Sequence, residues 1–152
     1  MSSHDDSYDW SREAPKKEVH IDDLEDDHYG FQYNGIPFSG IAVSYYKNGR
    51  LESRRSYLNG MVHGPGEWWY ENGKKSQEWV SFAGMAHGPN IEWYENGFVF
   101  QKSHCEFGRV LDWVKYDKNG NEIEVGSNRD NPSVRGWIDK FRKKFPYAPN
   151  YE

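Results

Sequence analysis

The chain is poor in the residues that carry the commonest kinds of site chemistry. Cys105 is its only cysteine in 152 residues, which excludes an intramolecular disulfide and a cysteine-rich zinc site. Long apolar runs are missing, and nothing approaches the roughly 20 residues of a membrane-spanning helix. The first 28 residues hold no apolar stretch like the core of a secretory leader, so the expected location is the cytoplasm. A basic surface is lacking as well. The net charge of −5 argues against direct nucleic-acid binding, which needs a basic face. No Gly-rich phosphate loop precedes a helix, and neither Gly-x-Ser-x-Gly nor His-Glu-x-x-His occurs; no cofactor, metal or catalytic residue is expected.

What the chain does contain is aromatic side chains and glycine: 7 Trp, 11 Tyr, 8 Phe and 15 Gly. Disordered chains are poor in aromatics, so most of this one should fold. Flat rings and many glycines together suggest short strands joined by tight turns. Charge divides the chain in three. Residues 1–28 carry 10 acidic and 3 basic groups and read as a solvated, disordered acidic tail, whose alternative role is an arm for a basic partner. Residues 29–125 are nearly neutral, and residues 126–152 carry 6 basic and 3 acidic groups.

The middle region repeats. Asn48-Gly49, Asn72-Gly73 and Asn96-Gly97 are 24 residues apart, with Asn119-Gly120 following after 23. His63-Gly64-Pro65 recurs as His87-Gly88-Pro89, and Gly60, Gly84 and Gly108 keep the same 24-residue step. Each Asn-Gly follows an aromatic run, such as Trp68-Trp69-Tyr70-Glu71. Asn-Gly between two such runs predicts a two-residue type I′ hairpin, because both central residues need positive φ. The expected fold is mainly β: an elongated single-layer antiparallel meander of repeated hairpins over residues 29–125. Residues 29–38 form a first partial hairpin. Residues 126–152 supply a linker and a capping helix. In that helix Asn131-Pro132 is the start, Val134, Trp137, Ile138, Phe141 and Phe145 are the apolar stripe, and Pro146 is the stop.

The two-residue turn pairs Tyr45 with Glu52, Trp69 with Ser76 and Trp93 with Phe100. On the other face it pairs Tyr46 with Leu51, Tyr70 with Lys75 and Tyr94 with Val99. It also sets Glu67 opposite Glu78, a repulsive pair. Both faces carry aromatics and the pattern does not decide which is covered. A single layer should leave one aromatic ladder open, as partner surfaces do. His63 and His87 precede turn glycines at one repeat position and read as structural. His104 and Cys105, neighbours on one strand, point to opposite faces and cannot chelate together. The outermost strand offers an edge for homo-oligomer formation.

The unit running from Gly40 through Tyr45-Tyr46-Lys47-Asn48-Gly49 and Asn59-Gly60 to His63-Gly64, and its successor from Gly64 through Trp69-Tyr70-Glu71-Asn72-Gly73 and Gly84 to His87-Gly88, closely resemble the MORN repeat variant. A small protein built from several such units is similar to bacterial antitoxin or immunity proteins of that family. The fourth unit departs from the pattern, with Leu111-Asp112 in place of His-Gly and Asp117 in place of tyrosine. The resemblance implies a non-enzymatic protein that neutralises a cognate toxin, such as a basic nuclease, by covering it. The contact set would be Tyr46, Trp68, Tyr70, Trp79, Glu92 and Tyr94, which share one face. The alternative is a MORN-repeat scaffold or membrane-associated structural protein, with the basic helix near Lys140–Lys144 touching anionic lipid; a membrane role fits the acidic chain less well.

Overall fold

The computed structural model describes residues 7–151. In chain order the strands are β1 (Glu18–His20), β2 (Glu25–Asp27), β3 (Gly30–Tyr33), β4 (Ile36–Pro37), β5 (Gly40–Tyr45), β6 (Leu51–Leu58), β7 (Met61–Trp69), β8 (Lys75–Phe82), β9 (Met85–Trp93), β10 (Val99–Glu106), β11 (Arg109–Tyr116) and β12 (Glu122–Ser127), followed by the helix α1 (Pro132–Lys144). Strands β5 to β12 pair antiparallel in sequence order, as a meander of hairpins must, and β1 adds to β5 in parallel. The strands β2, β3 and β4 form a separate small sheet.

The hairpins are built from two kinds of turn, and the assignment differs from the expected one. At Asn48-Gly49 only the glycine has positive φ, +85°. Gly49 N–H donates to the Tyr46 carbonyl at 2.9 Å and Tyr46 N–H to the Arg50 carbonyl at 2.8 Å. This is a type I turn closed by a glycine bulge, and it recurs at Gly73, Gly97 and Gly120. Asn48 serves through its side chain, whose Oδ1 accepts from Arg50 N–H at 2.9 Å. The bulge shifts the register by one residue, so Tyr45 faces Leu51, Trp69 faces Lys75 and Trp93 faces Val99. Tyr46, Tyr70 and Tyr94 close the turns instead of pairing across the strands.

The type I′ turns, where both central residues have positive φ, lie at the opposite ends of the meander strands, at Asn59-Gly60, Ala83-Gly84 and Phe107-Gly108, and Asn34-Gly35 joins β3 to β4 in the small sheet in the same way. His63-Gly64 and His87-Gly88 are not part of these connections but lie inside β7 and β9.

The core gathers at this second end. Leu58, Phe82, Ala83 and Phe107 are buried there together with Trp10, Phe145 and Ala148. The helix starts and stops as its sequence indicates. Asn131 Oδ1 accepts from Ser133 N–H at 3.0 Å, and Phe145 caps the other end. The apolar stripe of α1 packs on the Phe107 turn, with Trp137 Nε1–H donating to the Phe107 carbonyl at 2.9 Å and Phe141 stacked on Phe107 at 5.7 Å.

The reading of residues 1–28 as a solvated tail needs correction from residue 7 onward; residues 1–6 lie outside the described residues. Trp10 is 2% exposed, and β1 covers the edge of β5 with Val19 beside Ala42. A second buried cluster joins Val19, Phe38, Ala42 and Tyr57, with Ile21 and Leu24 against it. The few apolar residues among the acids are enough to dock the segment, while the carboxylates face water. The same docking closes one edge of the sheet, which a bare strand would leave open to pairing.

Candidate partner-binding face

Strand alternation decides which side chains share a face. Ser44, Ser53, Trp68, Gln77 and Glu92 are directly cross-paired, and so form one row. The adjacent row on the same face runs through Arg55, Gly66, Trp79 and Asn90 and on to Ser103, Trp113 and Gly126. Glycine in these rows makes room for indole. A Cβ on Gly66 would overlap the Trp79 ring, and one on Gly126 would overlap the Trp113 ring. The two indoles lie flat on the sheet, and Trp68 stands edge-on to Trp79 at 6.4 Å. Trp68 is 45% exposed.

The expected contact residues divide into two groups. Trp68, Trp79 and Glu92 present their side chains on this face. The three tyrosines are at the same side of the strand ends, but their hydroxyls are engaged. Tyr46 Oη donates to the Trp69 carbonyl at 2.7 Å, Tyr70 Oη to Trp93 at 2.5 Å and Tyr94 Oη to Tyr116 at 3.0 Å. Each bond ties one hairpin to the next. Partial burial, and after it the nearby glutamates, push the phenols of Tyr46 and Tyr70 above their ordinary pKa, which keeps them as donors. The rings remain available: Tyr70 and Tyr94 line a hollow of 290 Å³ with Gln77 and Glu92. A second hollow of 320 Å³ lies between Trp68, Arg55 and Glu52.

Sequence reasoning missed Arg55 and Trp113. Neither falls in the repeated aromatic run, and only the register places them on this face. Trp113 Nε1–H donates to Glu124 Oε1 at 2.7 Å, and Lys115 approaches the same carboxylate at 3.0 Å. These two partners hold the Glu124 carboxyl below its usual range.

On the opposite face Glu67 does face Glu78. Lys75 resolves the conflict by reaching both, at 2.5 Å and 3.0 Å, under the Trp69 ring. The bulge puts Lys75 on that side. The largest hollow of the molecule among those described, 630 Å³, also opens here. Its walls are the segments near Arg12 and Pro149, and Ile41, Pro65 and Val80 belong to its floor.

Cys105 is 5% exposed, and burial pushes its thiol up, away from the reactive thiolate. Among the described residues no three His, Cys, Asp or Glu side chains are placed to hold a metal ion, and no helix is long and apolar enough to cross a membrane.

The MORN repeat variant family model matches residues 38–59 and 62–82. The first span is the β5–β6 hairpin with Asn59 of the turn that follows, and the second is the β7–β8 hairpin from Val62 to the end of β8. Comparison with curated proteins and with solved structures gave no match. Two hairpins of the nine-stranded sheet are thus similar in sequence to the MORN repeat variant, and the β9–β10 hairpin has the same pair of turns.

Proposed function

We propose that the protein is a non-enzymatic binding module that docks a protein partner on the face carrying Trp68, Trp79 and Glu92. The observation that carries this reading is the row of indoles lying on an otherwise polar sheet, with Trp68 half open to water. Aromatic rings beside polar groups are the usual anchors of protein interfaces. The tyrosines Tyr46, Tyr70 and Tyr94 hold the hairpins in line and lend ring surface at the margin. On the resemblance to MORN-variant antitoxin and immunity proteins, the partner is a protein toxin with a basic surface, attracted by a chain of net charge −5.

The test is capture of the partner from source cells by tagged wild type and by Trp68→Ala and Glu92→Lys, with the captured protein identified and its affinity measured. Both changes lie on a half-buried surface and should leave the melting temperature close to wild type. A stoichiometric partner whose affinity falls at least about tenfold, roughly 1.4 kcal/mol, in Trp68→Ala supports the reading. Equal binding by all three proteins sinks it. Neutralisation is then tested by assaying the partner's toxicity with and without this protein.

A structural scaffold is the second reading, favoured by the MORN repeat match. Its membrane version is weaker: Phe141 and Phe145 of the basic C-terminal segment already pack against the core. Co-sedimentation with anionic vesicles separates the two, since a partner-binding module stays in solution.

A further inference from the structure

Each terminal segment is tied to the sheet by a histidine at the same repeat position. His63 Nδ1 accepts from Ala83 N–H at 3.0 Å, and its Nε2 stands 3.0 Å from the Arg12 carbonyl. One repeat later, His87 Nδ1 accepts from Phe107 N–H at 3.1 Å, and its Nε2 stands 2.7 Å from the Pro149 carbonyl. An amide only donates and a carbonyl only accepts. Both rings are therefore neutral, with their single proton on Nε2. A second proton would have to sit on Nδ1, facing an N–H that cannot accept it. His63, 7% exposed, packs against Trp10 and Phe82; His87, 0% exposed, packs against Phe82, Phe107 and Tyr151.

We propose that His63 and His87 are acid-operated latches: when protonated, each ring leaves its seat, and the segment it holds, around Arg12 or around Pro149, lifts from a sheet that stays paired. The segments yield before the turns for a structural reason. Ala83-Gly84 and Phe107-Gly108 are clamped between paired strands and are bonded to the neighbouring hairpin through Gly84 N–H to Val62 and Gly108 N–H to Ala86, at 2.9 and 2.8 Å. Residues 7–17 and 145–151 are neither helix nor strand, so little ladder is lost when they move.

Charged groups stand near both latches. The segment beside His63 carries Arg12, Glu13 and Lys16. Burial is the main cause that lowers the proton affinity of His63, against a smaller opposing contribution from its bond to Arg12. Around His87 stand Arg142 of α1, which is ion-paired with Glu106, and His104 of β10, which adjoins Arg129 and Asp112. Burial again lowers His87 most; its bond to the Pro149 carbonyl opposes this, and Arg142 and His104 lower it further. Lifting both segments would widen the 630 Å³ hollow and bare more of its floor, where Ile41 is buried, Val80 half-buried and Pro65 already exposed.

Proton-linked release implies that opening at each latch grows by up to about tenfold per pH unit below about 6.5. The experiment is NMR on the intact chain between pH 7.5 and 5, with wild type, His63→Gln and His87→Gln. Glutamine keeps one acceptor and one donor but does not titrate. At pH 7.5 both imidazoles should show the Nε2–H tautomer. On acidification the intrinsic-rate-corrected protection of the Ala83 and Phe107 amides should fall while that of the β8–β9 ladder holds. His63→Gln should remove the response at Ala83 and at the Trp10 indole only, and His87→Gln the response at Phe107 only. An Nδ1–H tautomer, an unchanged protection at pH 5, a glutamine variant with the wild-type response, or a parallel loss across the whole sheet would each overturn the proposal.

Discussion

Ala83 and Phe107 sit where L-residues are rarely found, at φ of 47° and 44°. That conformation costs roughly 1–2 kcal/mol for a residue with a Cβ. In the preceding hairpin the same position is Asn59, a residue that tolerates it, and its N–H is held by Ser39 Oγ at 2.9 Å. Histidine replaces that serine in the next two units, and Ala or Phe replaces the asparagine. What offsets the strain is burial, since both residues are 1% exposed or less, together with the amide bond to the ring. Ala83→Gly should therefore stabilise the protein by about 0.5–1 kcal/mol, measured by urea unfolding. Phe107→Gly relieves the same strain but removes a core ring, and should instead cost about 3 kcal/mol. A loss of stability in Ala83→Gly would mean that the turn is not of this type.

At the scale of the element, the N-terminal segment shows how few residues are needed to dock a chain. Its acids outnumber its apolar residues, and net charge alone marks it as a tail. Trp10 nevertheless reaches the cluster of Leu58, Phe82, Phe107 and Phe145. Trp10→Ala should lower stability by about 3 kcal/mol or more, with a melting temperature well below wild type. A change of less than about 1 kcal/mol would show that the segment is only loosely laid on the sheet. The helix α1 is the opposite case, because its cap, stripe and stop are local in sequence and the structure reproduces them.

For the whole molecule, the two buried histidines set the response of stability to acid. In the folded state both bind a proton less readily than the ordinary histidine pKa of about 6.5. The unfolded chain therefore takes up protons first as the pH falls. Stability is full above about pH 6.5 and is lost as the pH drops through that value toward the depressed folded one. The melting temperature should fall between pH 6.5 and 5, and His63→Gln with His87→Gln should flatten that slope. Carboxylates held low, such as Glu124 and Asp117, lose their contribution only at more acid pH, so the two windows separate. A slope unchanged in the double variant would place the titrating groups elsewhere. The molecule is also asymmetric in its edges. β1 covers β5 at one side of the sheet, while Ile123 and Val125 of β12 are 62% and 64% exposed at the other. Of the two outer strands, β1 is only three residues long and β12 six, so β12 is the longer edge for pairing of copies.

The 24-residue spacing of Asn-Gly, His-Gly and Gly determined the hairpin meander, and Asn131-Pro132 with its apolar stripe determined the helix, because both depend on contacts between near neighbours. The shared face of Trp68, Trp79 and Glu92 was legible from strand alternation. Three things were decided only by tertiary structure. A glycine bulge, which Asn-Gly permits as readily as a type I′ turn, moved the register by one residue and brought Lys75 between Glu67 and Glu78. Packing against a distant cluster turned an acidic segment into part of the core. Alignment of adjacent hairpins gave the Tyr46, Tyr70 and Tyr94 hydroxyls and the two histidines their partners 20 or more residues away, because such bonds depend on where the chain returns and not on what lies beside it in sequence.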